Sequence, residues 1–116
     1  MNFKLIMVFV DIDKTDKLLD VARDAGATGA TIISSARGVG LNKTIGIFGL
    51  ELLNPRDVIL VLVEERRAAH VLDELVRVGG LDEKLDTGIA IMLDVEKALG
   101  LTEHIKKLEQ QKPLDA

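Results

Sequence analysis

Apolar residues recur along this chain with two different periods. Residues 57–63 read Asp-Val-Ile-Leu-Val-Leu-Val, one acid followed by an unbroken apolar run. The run is rich in β-branched residues and too short for an ordinary helix, so it predicts a strand buried on both faces. Residues 3–10 behave alike: Phe3, Leu5, Met7 and Phe9 fall on one face by the period of two, and Ile6, Val8 and Val10 on the other. Between these strands the period lengthens. Leu18, Leu19, Val21, Ala22 and Ala25 recur at helical spacing, with Asp13 or Thr15 placed to cap the helix and Gly26 to end it. Residues 31–36 predict the second strand. Beyond the central strand, Ala68, Val71, Leu72, Leu75 and Val76 mark a second helix over residues 66–78, stopped by Gly79-Gly80. A polar loop over 81–87 leads to a last strand at 88–95. Thr102 is placed to cap a short polar helix through Gln111, and Pro113 marks the tail.

The two halves echo each other. Val8-Phe9-Val10, Leu18-Leu19-Asp20 and Gly26…Thr28-Gly29 are answered by Val61-Leu62-Val63, Val71-Leu72-Asp73 and Gly79-Gly80…Thr87-Gly88. Each half is strand, helix, glycine, strand. Two such units predict an α+β, ferredoxin-like βαββαβ sandwich, an antiparallel sheet with two helices on one face and the first and third strands at its centre. Residues 1–101 form this one domain, with 37–55 as a long connection; residues 102–116 are a C-terminal helix and tail. The helix-free face then carries several large apolar side chains, each worth about 1.5–3 kcal/mol when buried. Left open, such a patch is an aggregation hazard. The expectation is a homo-oligomer that covers it; the alternative is that residues 37–55 or the C-terminal helix fold back over it.

Composition narrows the classes. The chain has 116 residues, 47% hydrophobic and 3% aromatic, with no Cys, Trp or Tyr. Its core is therefore built from Val, Leu, Ile and Ala. The lack of cysteine excludes disulfide and thiolate chemistry and fits a cytoplasmic protein. A net charge of −4 lacks the basic footprint of a nucleic-acid binder. No apolar run approaches the ~20 residues needed to cross a bilayer, so no transmembrane segment is expected. Residues 3–10 contain Lys4, run into Asp11 and Asp13, and lack a small-residue cleavage site, so they read as a strand and not as a signal peptide.

Catalytic chemistry is not indicated. His70 and His104 have no second ligand at metal-binding spacing, so no metal site is expected. Asp11, Asp13, Asp16, Glu64 and Glu65 are explained by first turns of helices. Ser34 and Ser35 have no histidine near in sequence to activate them. The absence of a base–nucleophile pair reads as a protein that is not an enzyme. The connection at 37–55 is more informative, because long loops in compact domains are often functional. Its alternating Ile45, Ile47, Leu50 and Leu52 fit either a docking surface or an extended hairpin. Gly38 and Gly40 would let backbone N–H groups approach a phosphate, with Lys43 adding charge, although a plain turn fits as well. The loop between Gly79 and Gly88 offers Lys84 among Asp82, Glu83 and Asp86.

Over most of residues 3–100 the chain resembles the P-II signal-transduction family. The likeness rests on Gly26-Ala27-Thr28-Gly29-Ala30-Thr31 before the second strand, on Arg37-Gly38-Val39-Gly40 before the long loop, and on Ile89-Ala90-Ile91-Met92-Leu93-Asp94-Val95 as the last core strand. It implies a trimer, nucleotides bound in clefts between subunits, and regulation of a transporter or metabolic enzyme through the loop at 37–55. The candidate effector-binding residues are Thr28, Gly38, Gly40, Lys43, Lys84 and Gly88, with an adenine nucleotide as the candidate effector. The chain also departs from the family. It has no loop tyrosine, and its loop is shorter. Ile89 stands where the family has a phosphate-binding lysine after the glycine. Gly100 and Thr102 stand where two arginines are usual, and Leu41 and Asn42 replace an arginine and a glutamine. A triphosphate would lose most of its charge-assisted hydrogen bonds. The resemblance thus implies a divergent branch with a different or weaker effector. The alternative is a metal-binding trimer of the related divalent-cation tolerance type.

Overall fold

The two strands that are apolar on both faces lie side by side at the centre of a four-stranded sheet. The computed structural model describes residues 2–37, 56–81 and 88–111, the side chains at 102, 104, 108 and 111 excepted. Its elements are β1 (Phe3–Asp11), a 3-10 turn (Ile12–Lys14), α1 (Thr15–Ala25), β2 (Thr31–Ala36), β3 (Arg56–Glu64), α2 (Glu65–Gly79), β4 (Ile89–Asp94) and α3 (Thr102–Gln111). The strand order is β2-β3-β1-β4 and every neighbouring pair is antiparallel. This is the βαββαβ arrangement that the repeat predicts.

Both long helices cover one face. Ile6, Val8 and Val10 of β1 and Ile59, Val61 and Val63 of β3 point into it, beneath Leu18 and Ala22 of α1 and Ala68, Val71 and Leu75 of α2. All are buried. Their removal from water, about 1.5–3 kcal/mol per large side chain, is the main force holding the helices down. Leu81 joins this core at 5% exposure, although its neighbours in sequence read as a polar loop.

The helix ends depart from expectation in one place. Neither Asp13 nor Thr15 caps α1: the chain enters through the 3-10 turn, and the N-cap is Lys14 with no side-chain bond. The Thr15 hydroxyl instead donates to Asp57 Oδ2 at 2.7 Å, both residues being buried. That partner lies on β3, so local pattern could not reveal it. At α2 the Glu64 carboxylate accepts from the Arg66 backbone N–H at 3.0 Å and from Arg66 Nε at 2.9 Å, which satisfies a first-turn donor. Lys14 Nζ donates to the Gly79 carbonyl at 2.9 Å, a cation at the negative end of α2.

The strand at 31–36 is not regular. Ile33 pairs with Val58 and Ala36 with Arg56, so β2 carries one extra residue against β3. Ser35 absorbs it at φ 62. This is a β-bulge, and it bends the edge strand just before residue 38.

The helix-free face is a grid of apolar residues. The register aligns Ile33, Val58, Phe9 and Ile89 in one row, Thr31, Leu60, Met7 and Ile91 in the next, and Leu62, Leu5 and Leu93 in a third. Leu5, Met7, Phe9, Leu60 and Leu62 are half-buried, while Ile33, Ile89 and Leu93 are 51%, 62% and 42% exposed. The central strands are thus fully covered on the helix face, while on the other face Val58 and Phe3 are buried and their other apolar residues are half-buried. The C-terminal segment reaches one corner of the other face, where Phe3 is buried and borders a small hollow with Val95, Leu101 and Ile105. It leaves the three rows open. The alternative that residues 37–55 fold back concerns a stretch that, Arg37 apart, lies outside the described residues.

Candidate functional site

At one end of the open face the grid runs into a groove of about 570 Å³. It is lined by Leu5, Leu60 and Leu62 of the central strands, by residues 28–31 and by Leu101. Residues 28–31 border it because β2 begins only at Thr31, where it pairs with Leu60. Gly26 ends α1 at φ 122, and Ala27, buried in the core, carries the chain across to the sheet edge. The residues between lie outside the strand. Nothing lies within 4 Å of where a Cβ on Gly29 would sit. Behind the same backbone, on the helix side, is a smaller hollow of about 300 Å³ bordered by Leu19, Ala22, Arg23 and Ile32. Arg23 is held by Asp20 at 3.3 Å and Asp24 at 3.6 Å.

Apolar walls of this kind suit a flat ring system, whose faces bury against leucine. Among the described residues, none that lines the groove is charged. Charged groups gather elsewhere. Lys4 bridges Asp94 and Glu65 at the end of β4, and its ammonium is held above the usual lysine range chiefly by its hydrogen bond to Asp94. Arg56 and Asp11 pair at 3.8 Å at the far end of the open face. Among the described residues, no three of His, Asp or Glu stand close enough to hold a metal ion. No described helix is long and apolar enough to cross a membrane.

Comparison with known proteins decides the family. The family model for nitrogen regulatory protein P-II matches residues 3–104. The chain belongs to the P-II family. A search of curated proteins returned no match. Among solved structures, a Bacillus subtilis GlnK–ATP complex superposes with a TM-score of 0.70 at 17% identity, over 86% of this chain and 87% of that one. A second Bacillus subtilis GlnK structure gives 0.69 at 16% identity, over 88% and 92%. CPII, a PII-like protein from Thiomonas intermedia bound to ADP, AMP and bicarbonate, gives 0.60 at 16% identity, over 84% and 97%. These likenesses show the fold, and the family match makes the chain a P-II regulatory protein.

Against this P-II frame the six candidate residues fall in three places. Thr28 lines the groove. Gly88 precedes β4, on the opposite edge of the sheet, with the Phe9 carbonyl directly above it. Gly38, Gly40, Lys43 and Lys84 lie outside the described residues. One protomer therefore does not bring Thr28 and Gly88 together. Sequence reasoning missed the groove's leucines, Leu5, Leu60, Leu62 and Leu101. The double-faced apolar pattern of β1 and β3 was the signal that pointed to the first three; nothing in the sequence marked Leu101.

Proposed function

We propose that this P-II protein is a homotrimeric cytoplasmic regulator that senses an adenine nucleotide in clefts between subunits and passes the signal to a transporter or metabolic enzyme through residues 37–55. The observation that carries the reading is the position of the groove. It lies beside an edge strand and opens onto an apolar face that the described residues leave partly exposed. A second protomer seated on that face would close the groove from outside. Thr28 on one edge and Gly88 on the other then meet only across a subunit boundary. The number three is taken from the P-II family and not from the geometry of the face. GlnK with ATP and CPII with ADP and AMP make an adenine nucleotide the natural effector class to test.

Two measurements test this. Sedimentation at micromolar concentration is expected to give a species of three times 12.6 kDa. A stable single-chain species would remove the intersubunit cleft. Calorimetry with adenine nucleotides is expected to show saturable binding to the native chain and none to Gly29→Val. That variant adds bulk at a residue that lines the groove, at a position with open space around it. Equal binding by both proteins would place the effector somewhere else.

A further inference from the structure

We propose that Ser35 is a register switch. The end of β2 moves between a bulged pairing, with Ala36 opposite Arg56, and a regular one, with Ser35 opposite Arg56. Each pairing sends the chain toward residue 38 from a different face of the sheet. The regulatory meaning of this movement rests on the reading above that residues 37–55 carry the signal; the movement itself does not.

The bulge puts strain on one residue. Among the described residues, Ser35 is the one non-glycine at positive φ, at 62. An L side chain is disfavoured there. The strain follows from the pairing. Ile33 pairs with Val58 and Ala36 with Arg56, so Ser34 and Ser35 together stand against Asp57. A regular ladder would run on from Ile33–Val58 to Ser34–Asp57 and Ser35–Arg56, and Ser35 would return to extended backbone.

Little holds the bulged pairing in place. Ala36 is half-buried in it, while Ser34 and Ser35 are exposed. The regular pairing relieves Ser35 and puts its hydroxyl where the alanine methyl now lies. One strained residue is thus set against partial burial of one methyl group, two opposing effects of similar size. Two arrangements so nearly balanced are both populated. The rest of the sheet does not resist. Among the described residues β2 has one strand neighbour, β3. β3 itself stays fixed, because Asp57 accepts from the Thr15 hydroxyl at 2.7 Å and Arg56 lies 3.8 Å from Asp11. The slip is therefore confined to residues 34–37, and the long connection that follows takes up an advance of about 3.3 Å.

Side chains alternate along a strand, so a slip of one residue turns them over. In the bulged pairing Ala36 shares the helix-free face with Arg56 and Asp11. In the regular pairing Ala36 turns to the helix side and Arg37, by alternation, takes the helix-free side.

The test is NMR of the native protein without ligand. Relaxation dispersion is expected to show millisecond exchange at residues 34–37 and 56–57, with a minor register of about 1–10%, while Ile33 and Val58 stay quiet. The major contact to Arg56 should come from Ala36. Ser35→Gly, which accepts positive φ without strain, should lower the minor population about fivefold or more. Ser35→Val, whose branched side chain opposes positive φ, should make the regular pairing the major one and move the contact with Arg56 to position 35. Absence of exchange in the native chain, or exchange that Ser35→Gly leaves unchanged, would overturn the proposal. So would a folded Ser35→Val protein that keeps the Ala36 contact. No nucleotide or target enters these measurements, so a failure to bind nucleotide would sink the sensing reading and leave the switch standing.

Discussion

Replacing Gly88 with alanine is expected to destabilise the protein by about 2–5 kcal/mol, the sum of a backbone term and a contact term. Gly88 sits at φ 138, where an L side chain is strained; that alone costs on the order of 1–3 kcal/mol. A Cβ there would also stand 2.6 Å from the Phe9 carbonyl, 2.9 Å from Leu81 Cδ2 and 3.0 Å from Val10 Cγ1. Leu81 can swing aside, but the Phe9 carbonyl belongs to central strand β1 and cannot move without disturbing the sheet. Two other glycines separate the terms. Gly100 has φ 88 with nothing within 4 Å of a built Cβ, so Gly100→Ala reports strain alone, about 1–2 kcal/mol. Gly29 has neither a positive φ nor a neighbour within 4 Å. Gly29→Ala should therefore be neutral, or stabilising by up to about 1 kcal/mol through the unfolded chain. Urea unfolding of all three at one fixed protein concentration gives the comparison, since oligomers have concentration-dependent stability. Gly88→Ala no worse than Gly100→Ala would show that the contact with Phe9 does not matter, and the reasoning would fail.

Thr15→Val should cost about 1.5–3 kcal/mol in urea, because it deletes a buried hydrogen bond to a carboxylate; an unchanged midpoint would mean that Asp57 is satisfied without it. Ser35→Gly should raise stability by about 1 kcal/mol by relieving φ 62 at the bulge, unless the unfolded-state entropy of glycine cancels the gain. The Glu74 carboxylate is held below its usual range, chiefly by its hydrogen bond to Arg77. Its small contribution is therefore present above the ordinary glutamate pKa and lost as pH falls through the folded value. An NMR titration should find its midpoint low in the native chain and ordinary in Arg77→Ala. Met7→Lys, which puts a charge in the middle row of the open face, should dissociate the assembly in the ultracentrifuge without unfolding α1 and α2.

Period and punctuation alone carried the fold a long way. Apolar alternation marked β1 and β3, helical spacing marked α1 and α2, and the echo between halves gave their order, because each pattern records a face turned from water along a single element. The same logic fails for contacts between elements. Thr15 reads as a cap and instead holds Asp57 across the sheet. Leu81 reads as part of a polar loop, yet it fills the space between Gly79 and Gly88. Ser34 and Ser35 read as strand, but the register with β3 forces a bulge there. The sequence by itself determined which faces are apolar and that one of them would lack a helix. Only the tertiary structure decided that Leu5, Leu60, Leu62 and Leu101 share one groove with the backbone at 28–31, and that Thr28 and Gly88 lie on opposite edges of the sheet. Periodicity fixes the direction of a side chain relative to its own strand; what it meets depends on pairing register and chain crossing, which are settled when distant segments come together.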